Sequence, residues 1–365
     1  MKSFKILKKF NYFRHIDKIF RVRGSSQSRH DMFRLDKNER VVEFENYFIK
    51  NILKKINSNH LSAYPETESL YNIFSKKFNL NKDMFVLTAG ADSAIKNCFD
   101  LLVKKGDKII TLSPTFGMVD VYAKLFQAKQ VKIKFNNKLE LNLNKMIKEI
   151  NNKAKLIIIA NPNSPTGTII KKENLISILK KAKKNNCYVL IDEAYYGFYD
   201  FTFLKYIKKF KNLIIVRTFS KAYGLAGCRV GLIISDKATA TRLYKYRPMY
   251  EINSISVLII KEIMKNENIL KKYIKETNEG KKYLTKKMQK LGFFYYNSYA
   301  NFLLVDVKKE YFKRKVFNYL KKKKILIANE TRIPGRKTIL RFTLGPTKYM
   351  KQIVGAFNKI HLNQR

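Results

Sequence analysis

Cysteine is scarce in this sequence, and its spacing supports neither a disulfide framework nor a metal site. The 365 residues include three cysteines, Cys98, Cys187 and Cys228. They form no cluster with the spacing of metal ligands, and an odd number argues against a set of structural disulfides. No metal is therefore predicted, and a reducing cytoplasm is the expected compartment.

Long hydrophobic runs are also missing. No apolar stretch approaches the roughly 18 residues that a membrane-spanning helix needs, and the basic N-terminus lacks the apolar core of a signal peptide. No membrane partner is predicted. Hydrophobic residues nevertheless make up 45% of the chain and aromatic residues 13%, so a sizeable core can form. The length suits one large domain and a smaller one.

Acidic residues are few: 28 Asp and Glu stand against 75 Lys and Arg, which gives a formal net charge of +47. A nucleic-acid-binding protein usually concentrates its basic residues on one face or tail, but here they are spread along the whole chain. The abundance of Lys, Asn and Ile favours an AT-rich coding sequence as the origin of the charge. Attraction of anionic substrates is a second explanation, and no nucleic-acid partner is predicted.

Short apolar runs alternate with helical patterns through the first two thirds of the chain. Strands are predicted at Met84–Thr88, Lys108–Leu112, Gln130–Phe135, Lys155–Ala160, Cys187–Ile191, Leu213–Thr218 and Arg229–Ser235. This alternation predicts a three-layer α/β/α domain with a mainly parallel, seven-stranded sheet. Because only about ten residues separate the last two strands, too few for a helical crossover, the last strand is expected to be antiparallel.

The pattern changes after residue 250. A long helical region is expected up to residue 290, followed by short strands and a helix that form a smaller α+β domain. The predicted organisation is an N-terminal arm and part of the small domain over residues 1–55, a large domain over residues 56–250, and a small C-terminal domain over residues 251–365. The first 33 residues are expected to be an arm or an irregular lead-in.

Loops that follow the strands of such a sheet are where ligands bind. The turn Thr88–Ala94 opens a helix with small residues, whose free N–H groups suit a phosphate. Phe116 lies in a Pro- and Gly-containing turn, where its ring could stack on a flat cofactor. The turn Asn161–Gly167 is dense in prolines and in amide donors that could reach a phenolate oxygen. Each turn, taken alone, is also compatible with an ordinary connection.

Two charged residues occur in apolar strands. Asp192 ends one strand, and a buried charge there needs a partner. A pyridinium N–H would provide one and would keep that ring protonated as an electron sink; the alternative is a helix N-cap. Arg341 lies in a second strand, where a bound carboxylate or phosphate would compensate its charge; the alternative is a structural ion pair.

The stretch Val216–Gly231 contains a lysine, Lys221, directly after Ser220 and ahead of Arg229. The antiparallel return of the chain brings these three residues together at one end of the sheet. A hydroxyl and a guanidinium beside a lysine suit a phosphorylated carbonyl cofactor, which the lysine would bind as a Schiff base. A lone lysine is more simply a surface residue, but together these loops provide the groups that one pyridoxal phosphate requires.

These motifs resemble those of fold-type-I pyridoxal-phosphate enzymes of the class I and II aminotransferase family, and among them the histidinol-phosphate aminotransferase group. The resemblance extends from about Leu35 to Gly345. It is carried by Asn161–Gly167, Asp192–Tyr195, Ser220–Arg229, Asn301-Phe302 and Leu340–Gly345. It implies pyridoxal 5′-phosphate as the cofactor and transamination of a small, phosphorylated amine or amino acid as the reaction.

The resemblance also implies roles for single residues. Lys221 would form the Schiff base and then move a proton, and Asp192 would hold the ring nitrogen. The other implied cofactor contacts are Tyr195 at the phenolic oxygen, Phe116 on the ring face, and Ala91, Asp92, Ser220 and Arg229 at the phosphate. The implied substrate-binding residues are Arg341 and Asn38. Tyr64 would reach the cofactor phosphate of a partner subunit, which makes a homodimer necessary for activity.

Two positions depart from the family's pattern. Ser164 stands where many relatives have asparagine, so the contact to the ring oxygen must come from Ser164, Asn163 or Asn161. Ala328 stands where relatives that handle histidinol phosphate often carry arginine, which weakens that substrate assignment. Arg332 or Arg336 could take over its role.

Two alternatives are kept. Decarboxylation of a phosphorylated amino acid uses the same cofactor, because the bond that breaks at Cα is the one held perpendicular to the ring, and a sequence does not reveal which that is. A nucleic-acid-binding protein on an enzyme-like fold is the alternative from another class.

Overall fold

The computed structural model describes residues 14–17, 19, 28–328, 333 and 335–362. Most of the predicted lead-in over residues 1–33 lies outside these described residues, and so does Arg332.

The strands alternate with helices along much of the chain. The strands are β1 (Phe33–Leu35), β2 (Phe85–Thr88), β3 (Lys108–Ser113), β4 (Lys129–Lys134), β5 (Ala154–Ala160), β6 (Tyr188–Asp192), β7 (Leu213–Thr218), β8 (Gly231–Ser235), β9 (Phe294–Tyr296), β10 (Phe302–Asp306), β11 (Ile325–Ile327) and β12 (Ile339–Thr343). The helices are α1 (Arg14–Asp17), α2 (Asn46–Lys55), α3 (Asn59–Ser62), α4 (Glu68–Phe78), α5 (Gly90–Leu102), α6 (Gly117–Leu125), α7 (Leu143–Glu149), α8 (Lys172–Lys184), α9 (Lys237–Tyr246), α10 (Ser254–Lys265), α11 (Glu267–Lys290), α12 (Glu310–Lys322) and α13 (Thr347–Leu362).

A seven-stranded sheet with the order β2-β8-β7-β6-β5-β3-β4 forms the centre of the fold. Strand β8 runs antiparallel to both of its neighbours, β2 and β7, and the remaining pairs are parallel. The predicted mainly parallel sheet is confirmed, as is the antiparallel direction of its last strand in sequence.

Helices cover both faces of this sheet, which explains why its inner strands are largely apolar, whereas the edge strand β4 carries lysines. Side chains alternate across a strand. In β5, Ile157 and Ile159 therefore pack into a core with α4 and α8. On the opposite face, Leu156 and Ile158 pack into a second core with α5 and α6. The result is the predicted three-layer arrangement.

Two smaller sheets lie beyond the large one: an antiparallel β12-β10-β9 sheet and the parallel pair β1-β11. A third core joins Leu35 of β1 to residues of α11, α12 and α13. Strand β1, from the N-terminal part of the chain, therefore packs with the C-terminal part. The domain boundaries at residues 55 and 250 stay a prediction.

The long helical region expected up to residue 290 is confirmed. It begins at Ser254 and consists of two helices, α10 and α11, with Asn266 between them. Asn266 leaves helical geometry, with φ −113° and ψ 53°, and short polar side chains of this kind favour helix ends.

In the part of the chain described here, no helix is long and apolar enough to cross a membrane.

Candidate active site

The carboxyl ends of β5, β6 and β7 lie side by side in the large sheet. Ala160 pairs with Asp192, and Asp192 pairs with Val216. The loops that follow these parallel strands therefore open at the same edge. The antiparallel pair β7-β8 adds the loop from Thr218 to Gly231 at this edge.

Asp192 is the last residue of β6 and is only 7% exposed. Burial raises the pKa of its carboxyl to about 7, an effect that the amide N–H of Ala194 and the charge of Lys221 oppose. The Ala194 N–H donates to Oδ1 over 2.9 Å. A buried carboxylate gains most from a cationic partner, and a protonated pyridine nitrogen is such a partner.

Lys221 lies beyond the end of β7, half-buried, with its Nζ donating to the backbone oxygen of Lys37 over 2.9 Å. The Nζ is 6.0 Å from the centroid of the Tyr195 ring. Burial lowers the pKa of this lysine to about 8, assisted by Arg341 and Arg229. A lowered pKa increases the fraction of neutral amine, which is the form that attacks a carbonyl.

A cradle for an anion lies where α5 begins. Its first residue, Gly90, has φ +84°, and a Cβ at this position would be 2.6 Å from Nη2 of Arg229. The same guanidinium donates through Nη1 to Ser220 Oγ over 3.4 Å. Arginine, serine and the N-terminal amides of a helix are suitable ligands for a phosphate. The structure thus brings together Ser220, Arg229 and the turn that holds Ala91 and Asp92.

Asp92 turns its side chain away from this cradle. Its Oδ1 accepts a hydrogen bond from the hydroxyl of Tyr122 over 2.9 Å. Since a carboxylate repels a phosphate, any contact of Asp92 with the anion is expected through its backbone N–H.

The contacts of Tyr195 separate the three candidates for the ring oxygen. Its buried hydroxyl accepts from Asn38 Nδ2 over 2.9 Å; burial raises its pKa, and the side chains of Ser164 and Asn38 oppose that rise. Asn163 uses both amide protons inside the protein, for the Pro114 oxygen and for a threonine hydroxyl. Asn161 uses its side-chain oxygen for a backbone amide over 2.8 Å. The geometry therefore favours Ser164 or Asn161 over Asn163.

The two predicted aromatic contacts lie at the surface. Phe116, which precedes α6, is 37% exposed, so a planar ligand can reach its ring. Tyr64 is 73% exposed and stacks on Tyr250, with ring centroids 4.1 Å apart. In a single chain Tyr64 is thus a surface residue, as a side chain that serves a partner would be.

Arg341 on β12 is half-buried, and its Nη2 donates to the backbone oxygen of Asp36 over 2.7 Å. Ala328 forms a β-bridge with Arg341, so an arginine at that position would be its direct neighbour. Arg336 has other contacts: its guanidinium is 3.7 Å from Asp306 and donates to a backbone oxygen of the loop before α7.

A model of the family described as aminotransferase class I and II matches residues 39–357. The chain is a class I and II aminotransferase. The predicted family, the transaminase class and pyridoxal 5′-phosphate as the cofactor are confirmed.

The chain is similar to several aminotransferases in sequence or in fold. The histidinol-phosphate aminotransferase of Caldanaerobacter subterraneus subsp. tengcongensis is 30% identical over 332 residues, which cover 90% of this chain and 93% of the relative. That of Clostridium novyi is 32% identical over 276 residues, 74% of this chain and 77% of the relative. The structure of histidinol-phosphate aminotransferase from Sinorhizobium meliloti in complex with pyridoxal-5′-phosphate superimposes with a TM-score of 0.86 at 19% identity, covering 98% of this chain and 99% of that one.

Sequence reasoning missed two groups of residues in this aminotransferase. One is the buried ion pair between Glu193 and Arg217. The signal for it was present, because Arg217 is a charge inside an apolar strand and therefore needs a partner. The other is Thr343, whose hydroxyl accepts from the amide of Asn38 over 3.0 Å. Because 305 positions separate these residues, no local pattern indicates that contact.

Proposed function

We propose that this aminotransferase acts on a small phosphorylated amine or amino acid, as its histidinol-phosphate relatives do. Arg341 carries the proposal. It lies near enough to Lys221 and Tyr195 for its charge to act on both: at Lys221 it adds to the lowering of the pKa that burial causes, and at Tyr195 it opposes the rise that burial causes. A guanidinium in this place suits two-pronged binding of a carboxylate or phosphate.

The cofactor, when bound, supplies a ring that withdraws electrons from the substrate's Cα. The contacts of the site support the following roles. Asp192 holds the ring nitrogen, and Lys221 provides the amine that attaches the cofactor and moves a proton. Ser220 and Arg229 hold the phosphate against the start of α5, and Tyr195 contacts the phenolic oxygen.

The substrate's anionic group is expected to depend on Arg341. Ala328, its neighbour across the β-bridge, brings no charge, and Arg336 is paired with Asp306. Within the described residues, neither position supplies a second cation beside Arg341. We infer that the substrate offers Arg341 one compact anion.

A substrate screen that follows the cofactor's absorbance tests this function, starting with histidinol phosphate and phosphoserine and their unphosphorylated counterparts. Arg341→Gln is expected to raise KM for the preferred substrate by about ten- to a hundredfold, because it removes hydrogen bonds to a charged group. Arg336→Gln is the matched control and is expected to leave KM unchanged. Equal turnover of phosphorylated and unphosphorylated amines would refute the substrate class.

Decarboxylation is distinguished by its products. A transaminase converts the cofactor to its amine form as the first product leaves, without release of CO₂. Release of CO₂ from a phosphorylated amino acid without that change would establish the decarboxylase instead.

A homodimer is part of the proposal. Tyr64 and its stacking partner Tyr250 lie beside the exposed side chains of Leu61 and Met249, which are both 76% exposed. The segment around Tyr64 is hydrogen-bonded to the segment that follows Tyr250: the Ser254 hydroxyl donates to the backbone oxygen of Ala63 over 3.2 Å. Exposed apolar side chains in one patch are typical of interaction surfaces, and a second copy of this chain is the proposed occupant.

Mixing two defective proteins tests whether Tyr64 serves the partner. Lys221→Ala and Tyr64→Ala subunits, combined by mild unfolding and refolding, form mixed dimers in which one site has both native residues. Activity above the sum of the separate variants is expected. The absence of such recovery, with mixed dimers present by mass, would refute the shared site.

The compartment stays a prediction. Cys98, Cys187 and Cys228 are free thiols, which supports the expected reducing cytoplasm.

A further inference from the structure

A buried ion pair lies directly beside Asp192. The Glu193 carboxylate and the Arg217 guanidinium are 2.9 Å apart, and the two residues are 3% and 7% exposed. Nε and Nη2 of the arginine both donate to Oε2 of Glu193. The other carboxylate oxygen accepts the backbone N–H of Phe203 over 2.7 Å. The Thr202 hydroxyl also donates to this carboxylate, so it is bonded at both oxygens.

The sheet fixes this pair relative to Asp192. Asp192 ends β6, and the Glu193 N–H donates to the Val216 oxygen of β7 over 2.8 Å. Adjacent residues of a strand face opposite sides of the sheet. Asp192 therefore faces the cofactor side, while Glu193 and Arg217 lie behind it, with Arg217 stacked 3.9 Å from the centroid of the Tyr196 ring.

Two neighbouring charges act on Asp192 in addition to its burial. Burial is the main cause of its raised pKa; the Glu193 carboxylate adds to this rise, whereas Lys221 opposes it. An uncompensated carboxylate next to Asp192 would disfavour a second negative charge in the same buried region. The two hydrogen bonds that Arg217 donates to Oε2 of Glu193 compensate that carboxylate at close range.

We propose that Arg217 is a positioning residue: by compensating the charge of Glu193, it keeps the Asp192 carboxylate ionised toward the ring nitrogen of the cofactor. This inference rests on the proposed role of Asp192 in holding that nitrogen. Its content is electrostatic, because the removal of Arg217 would leave the neighbouring Glu193 charge uncompensated.

The test compares two ligands rather than two activities. Cofactor-free protein is reconstituted with pyridoxal 5′-phosphate or with its analogue in which carbon replaces the ring nitrogen, and both dissociation constants are measured at one neutral pH. The ratio of the two constants reports the contact between Asp192 and the ring nitrogen. Asp192→Asn must abolish the preference for the natural cofactor. If it does not, the assignment of Asp192 fails first, and with it the proposed function of that residue.

The two single variants are expected to affect this ratio differently. Arg217→Gln leaves the Glu193 charge uncompensated, so the preference for the natural cofactor should fall about tenfold, equivalent to one pKa unit. Glu193→Gln leaves a bare guanidinium, so the preference should be kept or should rise. Arg217→Lys keeps the charge and should keep the preference.

The double variant Glu193→Gln with Arg217→Gln guards against loss of folding, since it leaves no unpaired charge in the interior. Its preference should return to within about threefold of the native ratio. A fall of the ratio in both single variants, or no change in either, would mean that the pair acts on stability alone and would overturn the inference.

Discussion

Gly90 begins α5 in a left-handed backbone conformation beneath the guanidinium of Arg229, and Gly90→Ala examines the anion cradle directly. A Cβ at this position would be 2.6 Å from Nη2 of Arg229. Nonbonded contacts need roughly 3.5 Å, so the guanidinium must move by about 1 Å. That displacement is enough to break a phosphate hydrogen bond.

Two costs are expected from this substitution. The left-handed conformation costs an alanine about 1–2 kcal/mol, which lowers the stability of the protein. The loss of hydrogen bonds to a charged phosphate costs about 1.5–3 kcal/mol, which weakens cofactor binding by about ten- to 150-fold. Titration of cofactor-free protein with pyridoxal 5′-phosphate, followed by absorbance, measures the second cost separately.

Gly106→Ala is the matched control, because Gly106 has φ +86° and a Cβ there would meet no atom within 4 Å. It should show the same loss of stability without the loss of affinity. If both variants bind the cofactor equally well, Arg229 does not hold the phosphate, and the position assigned to the cofactor is incorrect.

Three further outcomes are expected. Burial raises the pKa of Asp192 to about 7, which lies above the value near 4 of an unfolded chain. Its stabilisation of the cofactor-free protein is therefore complete below about pH 4 and is lost as pH rises through 7. Asp192→Asn should remove on the order of 4 kcal/mol of pH dependence from the free energy of unfolding. Tyr64→Phe should weaken cofactor binding about tenfold by removing one hydroxyl contact to a phosphate, as measured by equilibrium dialysis. Gly231→Ala would place a Cβ 2.4 Å from the carbonyl carbon of Gly90; because backbone cannot yield there, a loss of about 3 kcal/mol is expected by chemical denaturation.

The chain offers matched control positions for two of these variants. Tyr47, on α2, is also an exposed tyrosine at 59%, and Tyr47→Phe should leave cofactor affinity unchanged. Gly227 has no atom within 4 Å of a Cβ, so Gly227→Ala should be nearly neutral. A native-like unfolding profile across pH for Asp192→Asn, or native stability for Gly231→Ala, would contradict the burial or the close packing described here.

Much of the large sheet could be predicted because its inner strands are buried on both faces. These strands are nearly continuous apolar runs, and a polar residue at the end of such a run marks the edge where ligands bind. Asp192 was found in this way. Lys221, Ser220 and Arg229 were grouped correctly because a short connection forces β8 to return antiparallel to β7.

The remaining features depend on contacts between distant parts of the chain. The choice among Asn161, Asn163 and Ser164 required knowing that the Asn163 amide is used up inside its own turn. The placement of Asn38 against Tyr195 joins residues 157 positions apart. The period of the hydrophobic residues indicates which side of a strand is buried. It does not indicate which other strand is the neighbour in the sheet.

The fold keeps the residues expected to bind substrate apart from those expected to hold the cofactor. Asn38 follows β1 and Arg341 lies on β12, both in the small sheets, whereas Asp192 and Lys221 follow strands of the large sheet. The groups meet where Asn38 Nδ2 donates to Tyr195. Preference for a new amine can therefore be acquired, in evolution or in the laboratory, by changing β11, β12 and the turn after β1 while the chemistry at the large sheet is left intact.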